Sequence, residues 1–124
     1  MRPGDLQQTP TLSEVVRVAV DVVDPEADQG LDDFAIRFED RDEPIAGLQE
    51  RIEQDIAEAV GALDPQGEDP AVQMAGAVTT YLAFRRDEVS DDREHILRLA
   101  ARAEFAGHPP DNVRDWLDSE GIAL

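Results

Sequence analysis

The side chains in this sequence that could do acid–base or metal chemistry are two histidines, His95 and His108, and 29 carboxylates. A carboxylate-bridged metal bundle needs Glu-x-x-His pairs on two helices with further glutamates facing them. The nearest approximations are Asp92 with His95 and Glu104 with His108. Neither has that form, and the second straddles Gly107. The acidic run Asp24, Glu26, Asp28, Gly30, Asp32, Asp33 resembles a calcium loop at first reading. An EF-hand requires glycine at its sixth position and a bidentate glutamate at its twelfth; counted from Asp24, these positions hold Gln29 and Ala35. Nucleophiles are equally scarce. Ser13, Ser90 and Ser119 each stand beside an acidic residue, as helix caps do, and none occupies a Gly-x-Ser-x-Gly elbow. There is no cysteine, and every one of the 11 cations is arginine, so thiolate, Schiff-base and Walker-type chemistry have no residue to carry them. The expectation is a protein that is not an enzyme, with no catalytic residue, no cofactor and no metal.

Charge narrows the partners. With 29 acidic residues against 11 arginines the net charge is −18 and the isoelectric point lies near 4.1. Such a chain repels the phosphates of nucleic acids and the anionic headgroups of membranes. Its longest uncharged run, Pro70 to Phe84, is shorter than the roughly 18 residues a membrane-spanning helix needs. The opening Met1-Arg2-Pro3-Gly4-Asp5 lacks the apolar core of a secretion signal, so a cytoplasmic location is expected. Acidity combined with complete replacement of lysine by arginine resembles, in composition, proteins of microbes that keep molar KCl in the cytoplasm. A GC-rich genome would account for the missing lysine but not for the acid. The charge is uneven: residues 1–69 carry −14 and residues 70–124 carry −4.

The elements that would position any site read as helices. Residues 1–10 are polar, with Pro3, Gly4 and Pro10, and are expected to be a flexible terminus. Thr11 and Glu14 have capping-box spacing, followed by Leu12, Val15, Val16, Ala19, Val22 and Val23 at helical period. The same stretch alternates Val16, Val18, Val20 and Val22 as a strand would. Leu31, Phe34, Ala35 and Phe38 make a helical stripe over Leu31 to Asp40, while Phe34, Ile36 and Phe38 alternate. The alternative to an all-α fold is therefore a small α+β fold with an N-terminal hairpin over 15–39. Pro44 suits a first helical position, and Ile45, Leu48, Ile52, Ile56, Val60 and Leu63 run down one face to Asp64-Pro65. Asp69-Pro70 restarts a helix that is apolar on nearly every side to about residue 86, the pattern of a central, surrounded helix. Asp91 and Glu94 suggest a second capping box, before Ile96, Leu99, Ala100 and Ala103 and the break at Gly107. Val113, Trp116 and Leu117 mark a last short helix, with Gly121 as its C-cap and Ile122 folding back. No internal repeat is evident. The expected fold is a single all-α domain over 11–124, a compact bundle of five or six helices around the 70–86 helix.

Within that bundle the arginines gather toward the C-terminal half. Arg85, Arg86, Arg93, Arg98 and Arg102 lie within 18 residues of one another, and Trp116 is the single tryptophan. These six residues are the candidate interaction surface, a place for an anion or an acidic partner. The plainer reading is intramolecular pairing, as in Glu94 with Arg98, and a core anchor for Trp116. The function expected on these grounds is protein–protein contact, as an adaptor, accessory subunit or regulator, with self-association into a homodimer open. Three alternatives stand behind it: a transcriptional or nucleic-acid regulator using 85–114, an acidic mimic of nucleic acid using the −14 pole, and an enzyme using carboxylates with His95 or His108.

Overall fold

A computed structural model describes residues 11–44, 51–84 and 92–123. The expected flexible terminus, Ile45, Leu48, Arg85, Arg86 and Asp91 lie outside the described residues. Within them the chain forms α1 (Leu12–Val23), α2 (Asp32–Phe38), α3 (Ile52–Leu63), α4 (Pro70–Phe84), α5 (Arg93–Phe105) and α6 (Asp111–Ser119). The fold is an all-helical bundle, as expected. No strand forms among the described residues, and the N-terminal hairpin is replaced by two helices.

The reason lies in the ends of α1 and in which valines are buried. The Thr11 backbone N–H donates to Glu14 Oε1 at 2.8 Å, and the Glu14 N–H donates to Thr11 Oγ1 at 3.3 Å, which completes the capping box. The N–H groups of Leu12 and Ser13, which no helical carbonyl can reach, donate to the carbonyls of Glu43 and Arg41 at 3.0 and 2.9 Å. Pro44 takes part in this arrangement by bridging to Thr11. Any helix that Pro44 opens would run through residues 45–50, which lie outside the described residues. Leu12, Val15, Val16, Ala19 and Val23 are buried, while Val18 is 43% exposed. The 3.6-residue period therefore decides over the period of two. The same holds in α2, where the Phe34 and Phe38 rings pack at 5.4 Å with a tilt of 55° and Ile36, which a strand would have turned inward with them, is 57% exposed.

Helix α4 is the axis. Eleven of its residues, from Ala71 to Ala83, are buried, and α1, α3, α5 and α6 all pack on it. Asp69 opens it by accepting from the N–H groups of Ala71 and Val72. Buried Thr79 turns its hydroxyl back to the Ala75 carbonyl at 2.7 Å, which satisfies it within the core. Gly76 sets the distance to α3: a Cβ there would stand 2.6 Å from Val60 Cγ2. The cap of α5 falls one residue later than the Asp91–Glu94 spacing suggests. Asp92 accepts from the His95 N–H at 2.8 Å, and Glu94 pairs with Arg98 instead. At the far end of α6, Gly121 takes φ +79° and the Ile122 N–H returns to the Leu117 carbonyl at 2.8 Å, burying Ile122.

The structure contains a repeat that the sequence conceals. Helices α1 and α3 are both 12 residues long and end in Asp-Pro turns that coincide at an offset of 40 positions. Asp24 and Asp64 have backbone angles of −134°, 70° and −139°, 63°, and each donates its N–H to a valine carbonyl, Val20 or Val60, at 2.8 Å. Both carboxylates are buried, and each accepts two backbone N–H groups of its own turn. These come from Asp28 and Gln29 at 3.0 and 2.9 Å in the first turn, and from Glu68 and Asp69 at 2.8 and 3.0 Å in the second. Ala27 and Gly67 occupy the same left-handed position, at φ +56° and +67°. The buried pairs Leu12 and Ile52, Val16 and Ile56, Ala19 and Ala59, and Phe34 and Met74 follow the same offset. The described residues thus hold two copies of one helix–turn–helix unit, over 12–38 and 52–84.

Each turn depends on a buried charge satisfied by two backbone donors, worth about 1.5–3 kcal/mol per charge-assisted bond in mutational series. Asp24→Ala and Asp64→Ala are each expected to lower unfolding free energy by about 2 kcal/mol or more in urea titrations. A loss at one position and none at the other would show that the two turns do not bear equal load.

Candidate functional site

The six residues of the arginine–tryptophan cluster are placed as follows. Arg93, at the start of α5, donates Nε to the Val22 carbonyl at 2.6 Å and Nη2 to the Val23 carbonyl at 3.4 Å and to Glu120 Oε1 at 2.6 Å. The last carbonyls of α1 have no helical partner and carry the negative end of the helix dipole. A guanidinium satisfies both needs and ties α1, α5 and α6 together. Arg98 donates Nε to the Ala123 carbonyl at 2.9 Å and Nη2 to Glu94 at 2.6 Å, pinning the segment after α6. Trp116 is buried, and its Nε1 donates to Gln29 Oε1 at 2.6 Å. One turn earlier on the same helix, Asn112 Nδ2 donates to the Gly67 carbonyl at 2.8 Å. Helix α6 therefore clamps both Asp-Pro turns at once. Arg102 is exposed at the end of α5. Three of the four described members are thus engaged within the chain, and they do not converge on one pocket.

A second polar hub lies beside α3. Arg41 Nε donates to Glu43 Oε1 at 3.0 Å and its Nη2 to Asp55 Oδ2 at 3.1 Å. The Asp55 carboxylate, through its hydrogen bond, is the largest influence raising the Arg41 pKa above its ordinary value. Glu43 is held below the usual carboxylate range, first by a backbone hydrogen bond and then by Arg41. This hub fastens the segment just after α2 to α3. Among the described residues no group of three or more His, Asp or Glu side chains is arranged to hold a metal ion.

The feature that does gather side chains around open space was not legible as a motif. Helices α3 and α5 both pack on α4 but not closely on one another, and the gap between them is a cavity of about 350 Å³. Its floor is the small-residue side of α4, Gly76, Ala77 and Thr80. Ile56 and Val60 of α3 form one wall and Phe105 of α5 the other. Glu53 and Glu104 line it as well, one from each flanking helix. Among the described residues, neither carboxylate has an ion pair or hydrogen bond. Glu104 is exposed by area, yet protein crowds its carboxyl enough to weaken hydration. Its pKa is raised first by that desolvation and second by the charge of Glu53. The sequence places Glu104 only four residues before His108, a pairing the structure does not use. The surplus of small residues on α4 was the available signal, because a helix face without bulk leaves a gap wherever its neighbours do not close over it.

Comparison with known proteins finds no matching family model, no matching curated protein and no matching solved structure.

A carboxyl whose folded pKa stands above its unfolded value binds its proton more tightly when folded. The ionised form therefore costs stability above that pKa, and the cost disappears below the ordinary carboxylate range near about 4.3. Glu104→Gln is expected to raise the melting temperature at neutral pH and to converge with the parent as pH falls through that window. A difference that stays constant from acid to neutral pH would contradict the assignment.

Proposed function

We propose that the protein works by protein–protein contact, as an adaptor, accessory subunit or regulator, and that it receives a segment of its partner in the groove between α3 and α5. The observation that carries this reading is the groove itself, an apolar trough bounded by Ile56, Val60, Ala77 and Phe105 and left open between two helices. Its volume is at the small end of the range for ligand sites, about 300–1,000 Å³, and suits a few side chains of a docking helix better than a large cofactor. Laying an apolar stripe into a trough between two helices is a recurrent mode of recognition. The inward use of Arg93 and Arg98 supports a protein partner over a nucleic acid, since two of the cations available for phosphate contact are bonded to carbonyls and carboxylates of the chain itself.

Ala57 is exposed on α3 and lines the groove. Ala57→Trp fills the groove from outside the core, so it should leave the melting temperature nearly unchanged and abolish recovery of the partner from lysate in molar KCl. Equal recovery by parent and variant would place the contact elsewhere.

We further propose that the working environment is a salt-rich cytoplasm, supported by the −18 charge without a single lysine. Mutual repulsion among the carboxylates is screened over about 8 Å at physiological ionic strength and about 3 Å at molar salt. The melting temperature should therefore climb steadily from low salt to molar KCl. A flat profile would contradict salt adaptation.

A further inference from the structure

Resting on the reading of the groove as a docking site, we propose that the docked segment is an amphipathic helix presenting one lysine or arginine to Glu53 and Glu104, with apolar residues on either side of that cation. The first ground is that, among the described residues, the arginines in ion pairs are engaged with other carboxylates and none with those of the groove. Glu43 and Asp55 share Arg41, Glu94 has Arg98, and Glu120 has Arg93. Glu53 and Glu104 line the groove and have no cation among the described residues. The second ground is where they stand. They project from two helices that do not close on one another, so they face the same open space, and the charge of Glu53 raises the cost of charging Glu104. A single cation between them would remove that repulsion and gain two charge-assisted contacts. The third ground is the surface beneath. Ile56, Val60 and Phe105 offer apolar cover for the methylene stem of a lysine or arginine, which buries its carbons while its head group stays with the carboxylates. An anionic ligand is repelled at this mouth, and a purely apolar one leaves two carboxylates facing each other with less water around them.

The test is a displayed library of amphipathic helices, randomised at one central position, selected in parallel against the full chain, Ala57→Trp and the Glu53→Gln/Glu104→Gln double variant. The proposal expects binders that the full chain retains and Ala57→Trp loses, with lysine or arginine dominating the central position. Against the double variant that preference should vanish while the apolar positions persist. For a selected lysine peptide, replacing the lysine by norleucine should weaken Kd about tenfold or more, which corresponds to about 1.4 kcal/mol. Binders that need the groove but show no basic preference would overturn the cation and leave the docking site standing. Absence of any binder sensitive to Ala57→Trp would overturn the docking site and the cation with it. The melting temperature of the double variant, expected at or above that of the parent, excludes misfolding as the cause of a lost preference.

Discussion

A helix that is apolar on nearly every side has to be covered from nearly every direction, and in this chain that helix is Pro70–Phe84. Ala71, Met74, Val78 and Leu82 would suit an ordinary amphipathic stripe, but Val72, Ala75, Ala77, Thr79, Tyr81 and Ala83 are buried as well. Four other helices therefore pack around it, and their amphipathic faces take up the bulk that α4 lacks. Val60 and Ile56 reach in over Gly76, and the buried leucine and valines of α1 and Ile96 and Leu97 of α5 share one core with its alanines. Ridges of small residues let neighbouring axes come close, which raises dispersion contact and lowers the tolerance for added volume.

A chain with so much acid can make this arrangement only if charge is kept at the periphery or put to structural use. Both happen. Asp24 and Asp64 are buried, each with two backbone donors, and lock the two Asp-Pro turns in one geometry. Arg93 joins the carbonyl end of α1 to α5 and α6 over a sequence separation of about 70 residues. No buried side-chain nitrogen or oxygen among the described residues lacks a partner. The result satisfies the requirement that polar groups taken from water be paired. Molar salt would weaken the exposed ion pairs more than the carbonyl and turn bonds, because desolvated contacts are screened less. The arginine contacts to backbone are thus better suited to brine than a surface of lysine–carboxylate pairs.

What was legible in the sequence was local. The Thr11–Glu14 box, the Asp69 cap and the Gly121–Ile122 ending are each set by residues within a few positions of one another, and each forms as its spacing implies. Ambiguity arose where one run supports two periods, and tertiary burial resolved it by leaving Val18 and Ile36 outside. Adjacent acids at Asp91 and Asp92 offered two registers for one cap, which composition alone does not separate. The 40-residue repeat stayed hidden because its copies share a pattern of burial and an Asp-Pro turn more than they share residue types. Phe34 matches Met74 in depth, and Ala27 matches Gly67 in backbone angle, with no identity to reveal either. The contacts of Arg93 and Trp116, and the gap between α3 and α5, depend on how distant segments are set side by side. No spacing rule encodes that.

The groove follows from the same constraint as the core. Gly76 lets Val60 and Ile56 settle against α4 on one side, and α5 packs along another, but Ala77 and Thr80 are too small to fill the wedge between them. Filling that wedge with a larger residue on α4 would close the gap and give a better isolated core. The chain instead borders the gap with two carboxylates and leaves both without a cation among the described residues. Glu104, crowded by protein and beside the charge of Glu53, costs stability when nothing occupies the groove. Such a cost is expected where a surface is shaped for something other than its own fold, because an unfilled apolar trough and an unpaired charge are both satisfied by a partner that supplies bulk and opposite charge together.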